Sequence, residues 1–436
     1  MQHNKEVVFD SITTILMDKF VIEGGRRLTG RVKISGAKNA TLALMPLVLM
    51  APGVFRLHNT PNIRDVWTMS RLLGEMGVHC ELNGDELFLD SSNITSHEAP
   101  YEQVKKMRAS INVLGPLVAR YGEAKVSLPG GCAFGPRPVD LHLKGLEKLG
   151  AEITIENGYI LAKTSGLRGA KIHFDISSVG ATENVLSAAV LASGTTLLTN
   201  AALEPEVTAQ ARMLVKMGAK INRIGTNTLE IEGVKELHAV EEENIPDRIE
   251  AATFLIAAAM TRGKVLLENV NAYHLTAVIS KLEEAGCTID VTGDTITIEM
   301  DSAPKPTDIT TATYPGFPTD SQAQWLAFMM MATGTSKITD TIYHTRFHHV
   351  PELQRLGAKI EMAENTALVT GGAPLTGATV MSADLRASAS LILAALVAEG
   401  RSEILRVYHL DRGYEAIEKK LNSLGASIQR IKTEEF

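Results

Sequence analysis

The chain has 436 residues, of which 45% are hydrophobic and 21% charged, as in an ordinary soluble globular protein with room for two domains or one large barrel. Its formal net charge of −7 argues against a general nucleic-acid-binding surface but leaves room for a local cationic pocket. Cys80, Cys132 and Cys287 form neither a disulfide framework nor a CxxC pattern, so we expect a protein of the reducing cytoplasm.

The N-terminal segment 1–16 predicts neither a signal peptide nor a membrane anchor, and we treat it as an N-terminal extension. Asp10 interrupts its apolar run, and no small-residue cleavage site follows. The most apolar runs elsewhere are shorter than the roughly 20 residues that span a bilayer. We therefore expect buried helices and no membrane partner.

Beyond this segment, one order of predicted elements recurs six times. An apolar helix is followed by a strand, then by an amphipathic helix that ends at a glycine, and usually by two strands with a polar turn. Each glycine fits the position after a helix end, where a positive φ costs glycine little. The six are Gly77, Gly150, Gly218, Gly286, Gly357 and Gly425. Their spacing of 68 to 73 residues makes chance similarity a poor explanation.

The last repeat is incomplete, because only eleven residues follow Gly425. Two spare strands lie in 17–37, and we infer that they complete the sheet of the C-terminal half. We expect one domain of three repeats over 38–245 and a discontinuous domain of three repeats over 17–37 and 246–436. The two short crossings between such domains would permit a cleft to open and close.

Polar residues stand at the start of each apolar helix. Repeats place equivalent positions on one face, so we expect these residues to gather beside helix N-termini, which favour anions. With Arg137 and Arg412, their cations indicate an anionic substrate that carries phosphate. Capping could explain Thr182 and Asp320, but it explains cations poorly. The residues are Lys38, Asn39, Arg108, Thr182, Glu183, Asp247, Arg248, Asp320, Gln322, Asp384 and Arg386.

Standard nucleotide and metal motifs are absent from the sequence. The segment "SGAKNAT" is not a P-loop, and no GxGxxG stands between a strand and a helix. His344, His348, His349 and Glu352 lack HExxH spacing and cysteine partners. We therefore expect polar surface there, with no metal and no cofactor.

Cys132 differs from the other two cysteines. Cys80 and Cys287 follow repeat glycines at strands, where a thiol packs as a small apolar residue. Cys132 lies in "PGGCAFGPRP", which predicts a mobile loop in place of a short connection, and nearby Arg137 favours its thiolate. The residues alone leave two interpretations open, a reactive thiol and an ordinary loop cysteine.

Several motifs between Met17 and about Lys432 resemble the UDP-N-acetylglucosamine 1-carboxyvinyltransferases, a branch of the enolpyruvyl transferase family. They are "SGAKNA", "MRASI…LGPLVAR", "LPGGC…RPVDLH", "SVGATEN", "PDRIE", "FPTDSQAQ", "RFHHVPEL", "DLRASASL" and "DRGYE". The shikimate-pathway branch shares the six-unit architecture, but "LPGGC…RPVDLH" points away from it. The resemblance implies an α/β fold of two inverse α/β barrel-like domains, each with three βαβαββ-type repeats.

The resemblance implies transfer of the enolpyruvyl group of phosphoenolpyruvate to the 3-hydroxyl of UDP-N-acetylglucosamine. Phosphate would leave from a tetrahedral intermediate, in the first committed step of peptidoglycan synthesis. Cys132 would protonate the methylene carbon, and Asp320 would take the hydroxyl proton. Phosphoenolpyruvate would be held by Lys38, Arg137, Arg386 and Arg412. The nucleotide sugar would be bound by Asn39, Arg108, Arg137, Pro138, Val139, Asp140, Leu141, Ser178, Val179, Gly180, Asp320 and Ile342.

Two departures from the family pattern leave alternatives open. Ile176 stands where some members have a lysine, and His344 stands where some have a glutamate. One alternative is an enolpyruvyl transferase for another alcohol, such as shikimate 3-phosphate. Another is a non-enzymatic paralogue that binds nucleotide sugar, although a pure binder has no need of a proton donor such as Cys132 and a base such as Asp320. The sequence does not indicate an oligomeric state.

Overall fold

A computed structural model describes residues 16–129 and 139–434 of the chain. The predicted site residues Cys132, Arg137 and Pro138 lie outside the described residues.

The described strands form six four-stranded sheets. They are β1 (Leu16–Glu23), β2 (Thr29–Lys33), β3 (Val54–His58), β4 (His79–Asn83), β5 (Glu86–Asp90), β6 (Glu98–Ala99), β7 (Glu123–Ser127), β8 (Glu152–Glu156), β9 (Tyr159–Lys163), β10 (Lys171–His173), β11 (Thr195–Thr199), β12 (Lys220–Asn222), β13 (Thr228–Glu232), β14 (Glu241–Glu243), β15 (Lys264–Glu268), β16 (Thr288–Thr292), β17 (Thr295–Glu299), β18 (Ile309–Thr310), β19 (Thr335–Thr339), β20 (Lys359–Ala363), β21 (Thr366–Thr370), β22 (Thr379–Met381), β23 (Arg401–Leu405) and β24 (Ile428–Glu434).

The described α-helices alternate between the inside and the outside of each repeat. They are α1 (Lys38–Leu44), α2 (Arg64–Glu75), α3 (Tyr101–Val104), α4 (Leu114–Tyr121), α5 (Asp140–Lys148), α6 (Val179–Ala189), α7 (Pro205–Lys216), α8 (Arg248–Met260), α9 (Thr276–Glu284), α10 (Gln322–Met329), α11 (Val350–Arg355), α12 (Leu385–Val397) and α13 (Ile417–Ser423). Short 3₁₀ segments cover Met45–Met50, Arg108–Val113, Ala272–Leu275, Thr319–Ser321 and Val407–Arg412.

All six sheets share one topology. In the third sheet, β10 runs parallel to β11, β11 pairs antiparallel with β13, and β13 pairs antiparallel with β12. The strand after each buried helix is therefore central. In five sheets the hairpin after the outer helix closes one side, and in the sixth β24 pairs with β1 in its place. The predicted βαβαββ unit is confirmed, because each sheet repeats this order.

The buried helices are apolar because they are enclosed on every side. In α8, every residue from Ile249 to Met260 is buried, whereas α2 and α7 keep exposed polar faces. The six repeat glycines have φ between +96° and +109°, as the prediction of helix-ending glycines requires. Helix and strand can therefore join tightly in each repeat.

The N-terminal strands belong to sheets of the C-terminal half. Strand β1 lies between β23 and β24, and β2 pairs parallel with β15. Conversely, β14 pairs parallel with β3 and completes the first sheet. Phe20, Ile22 and Val32 share one apolar core with residues of the C-terminal half, and a second core is built from residues of the first half. The domain bounds 38–245 and 17–37 with 246–436 stay a prediction.

The capping interpretation of two polar residues is wrong. Ser178 caps α6, and Asp247 and Asp384 cap α8 and α12 through their side chains. The Thr182 hydroxyl instead donates to the Ser178 carbonyl at 2.8 Å, one turn into the helix. Asp320 caps no helix, because its carboxylate faces two arginines.

Candidate active site

Lys38 and Arg412 meet on a carboxylate that the sequence analysis did not single out. Lys38 begins α1, Arg412 ends the 3₁₀ segment that follows β23, and Asp65 lies in the first turn of α2. Asp65 Oδ2 is 3.0 Å from Lys38 Nζ, and Asp65 Oδ1 is 3.1 Å from Arg412 Nε. A Cβ on Gly413 would lie 2.6 Å from Leu385 Cδ2 and 3.3 Å from Lys38 Cδ, so this glycine leaves room for the leucine first and for the lysine stem beside it.

Asp65 is held as an anion although its side chain is only 4% exposed. Burial acts to raise the pKa of Asp65, but the charges of Lys38 and Arg412 and their hydrogen bonds outweigh it and leave the pKa below its ordinary value. Two predicted ligands of phosphoenolpyruvate are thus fixed by one protein carboxylate.

Asp320 is held between two buried guanidinium groups. Its Oδ1 accepts from Arg346 Nη2 at 2.9 Å and from Arg386 Nε at 3.1 Å. Burial acts to raise the pKa of Asp320, yet the two arginine charges bring it well below its usual range. The same pairing raises the pKa of Arg386 further above its already high value. Asp320 is therefore ionised at any working pH, and its side chain keeps 28% of its surface exposed.

Arg346, which the sequence analysis did not single out, lies in this group beside Asp320. It lies in "RFHHVPEL", where the histidines drew attention because of their metal-like spacing. Arg346 Nη1 also donates to the Thr319 hydroxyl at 3.1 Å, and that hydroxyl donates to Asp340 at 2.7 Å. Asp340 in turn accepts from the backbone N–H of Ile342 at 2.9 Å. The predicted Ile342 subsite is thus connected to Asp320 through three side chains.

Tyr414 connects the Asp320 group with the segment that carries Arg412. Its hydroxyl oxygen lies 3.3 Å from Arg386 Nη1 and 2.8 Å from the Thr253 hydroxyl of α8. Gln324 of α10 donates to the same oxygen at 3.3 Å. The starts of three buried helices therefore converge beside the two ion clusters, as the repeat argument predicted for the C-terminal half.

Three predicted residues of the first half, Gly180, Arg108 and Asp140, act on His142 in α5. The backbone of Gly180 lies against its ring, since a Cβ on Gly180 would be 3.0 Å from Cε1. Burial lowers the pKa of His142 to about 4, with a further lowering from Arg108 and an opposing effect from Asp140. Ser178 caps α6 one turn away. His142 is therefore a neutral group inside the predicted nucleotide-sugar site.

The remaining predicted residues take different places. Val139 is buried, Leu141, Val179 and Asn39 are half-buried, and Asp140 is exposed. Asp140 lies 3.6 Å from Lys144, one helical turn along α5. No pairing between these side chains and the Asp320 group is present among the described residues.

The other cysteines and the histidine-rich turn form no reactive centre. Burial raises the pKa of Cys80 and of Cys287 to about 12, so neither thiol ionises readily. In the histidine-rich turn, Glu352 accepts from the Met381 N–H at 2.9 Å rather than facing His344 or His348. Across residues 16–129 and 139–434, no group of three or more His, Cys, Asp or Glu side chains could hold a metal ion. No helix of this part is long and apolar enough to cross a membrane.

Comparison with known proteins defines the class first. The family model described as EPSP synthase (3-phosphoshikimate 1-carboxyvinyltransferase) matches residues 22–421. The enolpyruvyl transferase NikO from Streptomyces tendae superposes with a TM-score of 0.88 at 26% identity, covering 95% of this chain and 99% of that one. EPSP synthase from Acinetobacter baumannii has the same fold, with a TM-score of 0.73 at 19% identity and coverage of 95% and 100%. The fold is therefore that of the enolpyruvyl transferases, in two domains of repeated βα units.

Curated relatives then define the branch. The UDP-N-acetylglucosamine 1-carboxyvinyltransferase of Chlorobium chlorochromatii is 57% identical over 423 residues, which cover 96% of this chain and 100% of that protein. The protein of the same name from Chloroherpeton thalassium is also 57% identical, with 96% and 99% covered. The chain belongs to the enolpyruvyl transferase family, in the branch of the UDP-N-acetylglucosamine 1-carboxyvinyltransferases, and the resemblance found in its motifs is confirmed.

Proposed function

We propose that this chain transfers the enolpyruvyl group from phosphoenolpyruvate to the 3-hydroxyl of UDP-N-acetylglucosamine and releases phosphate. The observation that carries the proposal is the convergence of Lys38 and Arg412 on Asp65, beside the Asp320–Arg386 pair. An anion site near a partly exposed, permanently ionised carboxylate suits a reaction between an anionic donor and a hydroxyl. The near full-length identity with relatives of that name supports it.

Phosphoenolpyruvate would bind where these cations are already positioned. Lys38 is at the first position of α1 and Arg386 is at the second position of α12, so N-terminal helix dipoles add to their charges. Asp65 restrains Lys38 and Arg412 before the substrate arrives, which lowers the entropy lost on binding. Fixed cations would also stabilise the leaving phosphate, since negative charge grows on it as the C–O bond breaks. We propose that Arg137 joins this set.

Asp320 would accept the proton of the 3-hydroxyl as its oxygen attacks the central carbon of phosphoenolpyruvate. Two arginines make Asp320 a weak base, because they stabilise its anion. If Arg386 turns to the phosphoenolpyruvate anion, Asp320 loses one of its two cations and becomes a stronger base when the donor is in place. Arg346 would remain and keep the carboxylate aimed at the hydroxyl.

Cys132 would supply the other proton. As the hydroxyl oxygen adds to the central carbon, the methylene carbon must gain a proton from the opposite side, and a thiol can donate it. In the second step the Cys132 thiolate takes a proton back from the methyl group, the C–O bond to phosphate breaks, and the double bond is restored. The domains proposed over 38–245 and over 17–37 with 246–436 would close to exclude water from the intermediate.

The nucleotide sugar would lie along the first half of the cleft. We propose that Asn39, Arg108, residues 137–141 and residues 178–180 contact it, with Ile342 contributing from the second half. A cytoplasmic enzyme of this kind would act in cell-wall biogenesis, and thereby in cell shape, the cell cycle and cell division.

The two residues that depart from the family pattern are exposed, so they could contact a different acceptor alcohol. A test of the proposed function therefore compares two acceptors. The Ile176 side chain is 71% exposed, and His344 is exposed as well. Phosphate release from phosphoenolpyruvate, measured with UDP-N-acetylglucosamine and with shikimate 3-phosphate, separates the two acceptors. We expect turnover with the nucleotide sugar alone; turnover with shikimate 3-phosphate alone would reverse the assignment, and binding without turnover would indicate a paralogue that only binds.

The thiol provides a sharper test of the mechanism. We expect Cys132→Ser to lose nearly all turnover and to escape labelling by an epoxide such as fosfomycin, because a serine hydroxyl is a far weaker acid. Cys132→Asp should retain part of the activity, since a carboxylic acid can donate the proton. The matched control is Cys80→Ser, which alters a half-buried thiol outside the site. Full activity of Cys132→Ser would refute the proton-donor role.

A further inference from the structure

The ring of His142 carries a buried nitrogen that has no partner among the described residues. His142 is 1% exposed, and its Nε2 makes no hydrogen bond within residues 16–129 and 139–434. A buried polar atom without a partner costs about 1–3 kcal/mol. Because this nitrogen lies inside a predicted substrate site, we infer that a bound ligand supplies its missing hydrogen-bond partner.

The hydrogen bonds around Asn184 determine which ring nitrogen carries the proton. The Gly115 N–H donates to Asn184 Oδ1 at 2.7 Å, which fixes the orientation of the amide because a backbone N–H can only donate. Asn184 Nδ2 is therefore a donor, and it lies 3.0 Å from His142 Nδ1. His142 Nδ1 must accept, so the proton of the neutral ring is on Nε2.

A second amide supports this arrangement from the other side. Asn184 Nδ2 also donates to Asn112 Oδ1 at 3.3 Å, and Asn112 Nδ2 donates to Glu183 Oε2 at 2.6 Å. All four side chains are buried. The direction of every bond in this chain follows from the one backbone donor at Gly115, so the tautomer is set by the fold.

The unpaired Nε2–H lies at the start of α6. A Cβ on Gly180, the second residue of that helix, would be 3.3 Å from Nε2. The first N–H groups of a helix and this ring N–H are all donors, so they favour an acceptor oxygen or an anion between them. The charged groups that act on the ring are Arg108 and Asp140, and burial keeps the ring neutral near pH 7.

Building on the proposed function, we propose that Asn184 is a positioning residue that keeps the imidazole proton of His142 on Nε2, where it donates a hydrogen bond to an acceptor oxygen of the bound nucleotide sugar. Asn184 itself touches no substrate. Its contribution is to exclude the alternative tautomer, in which a lone pair on Nε2 would face that oxygen and repel it.

The substitution Asn184→Asp tests the proposal because it keeps the size of the side chain and an acceptor for Gly115. At about pH 8.5 the ring is neutral, and the new carboxylate accepts a hydrogen bond from Nδ1–H. The ring proton therefore moves to Nδ1, and Nε2 is left without one. At about pH 6 the adjacent carboxylate favours a doubly protonated ring, which regains Nε2–H. The affinity for UDP-N-acetylglucosamine should therefore fall about tenfold at the higher pH and recover at the lower one.

Two measurements on the full chain determine the tautomer of His142 and the affinity for the nucleotide sugar. Heteronuclear NMR of isotope-labelled histidine reports which nitrogen of His142 is protonated, with His142→Gln used to assign the signal. Titration calorimetry reports the affinity for UDP-N-acetylglucosamine at both pH values. Asn227→Asp is the matched control, because it makes the same chemical change on an exposed turn of the same half.

We expect wild-type His142 to be neutral with its proton on Nε2, and only the Asn184 variant to show affinity that recovers as the pH falls. A proton on Nδ1 in the wild-type ring overturns the proposal, and that measurement suffices if Asn184→Asp does not fold. A changed tautomer with unchanged affinity overturns it as well. Absence of any UDP-N-acetylglucosamine binding by the wild-type chain would overturn the proposed function and the ligand assigned to Nε2–H, whatever tautomer NMR finds.

Discussion

Glu183 and Asp320 lie near the starts of buried helices in the two halves. The carboxyl group of Glu183 is neutral near pH 7, whereas that of Asp320 is ionised. Glu183 Oε2 accepts from a neutral amide, and burial raises its pKa to about 8. Asp320 accepts from two guanidinium groups, which hold its pKa well below the usual range. Burial acts in the same direction on both carboxyl groups, so the partner side chains decide the outcome. The partner side chains thus make Glu183 a neutral acid in the first half and Asp320 an anion in the second.

The largest expected effect comes from neutralising the ionised member of this pair. We expect Asp320→Asn to lower kcat by roughly a thousandfold or more, because general base catalysis contributes about 10²–10⁴-fold and the amide also faces two arginines. Steady-state phosphate release measures it. Glu183→Gln is the matched control, since an amide replaces a carboxyl group that is already neutral at pH 7. Equal losses in the two variants would remove the functional distinction between the two carboxyl groups.

A third buried carboxylate extends the comparison to binding. Asp65, like Asp320, is ionised by two cations, but we assign it a role in holding Lys38 and Arg412 rather than in proton transfer. We expect Asp65→Asn to raise KM for phosphoenolpyruvate about tenfold or more, with a smaller change in kcat, because the two cations lose their shared anchor.

The contrasting result for Asp65 would be a loss of kcat with KM for phosphoenolpyruvate unchanged. That outcome would place Asp65 in the chemical step. A neighbouring control is Arg64→Gln, which alters an exposed residue of the same helix turn.

The smallest effect on activity and the clearest effect on stability belong to Glu183. Its folded pKa of about 8 lies above its ordinary value of 4.5, so its effect on stability is most favourable below pH 4.5 and is lost as the pH rises towards 8. The free energy of unfolding of Glu183→Gln should not show this loss, because glutamine does not titrate. Between pH 4.5 and 8 the variant should therefore become more stable relative to wild type, by up to about 1.4 kcal/mol per pH unit.

Denaturant unfolding at several pH values measures the effect of Glu183→Gln. The comparison variant Glu206→Gln should be less stable than wild type, because it removes the carboxylate that binds the half-buried Arg248 at 3.0 Å. A Glu183→Gln variant whose stability follows wild type from pH 4.5 to 8 would show that Glu183 is ionised in the folded protein.

The difference between the two halves also shows what the sequence could predict. Glycines at fixed spacing and apolar helices predicted six repeats, because both signals are local and depend on backbone geometry. The polar residues at the starts of the apolar helices singled out the cations and Asp320 as candidates for the site. The partners of these residues were not predictable, because Asp65 and Arg412 are 347 residues apart and only the tertiary fold joins them. Arg346 was overlooked for a different reason, because the metal-like spacing of the neighbouring histidines drew attention away from it.

The central claim is a transfer between two small molecules, and its most direct measurement follows the donor carbon itself. Phosphoenolpyruvate labelled at its central carbon is incubated with the full chain and UDP-N-acetylglucosamine, and carbon NMR is recorded beside phosphate release. We predict one phosphate per labelled vinyl ether on the 3-oxygen of the sugar, and no reaction when either substrate is omitted. Unchanged phosphoenolpyruvate in the complete mixture, or phosphate released with pyruvate and no vinyl ether, would contradict the account.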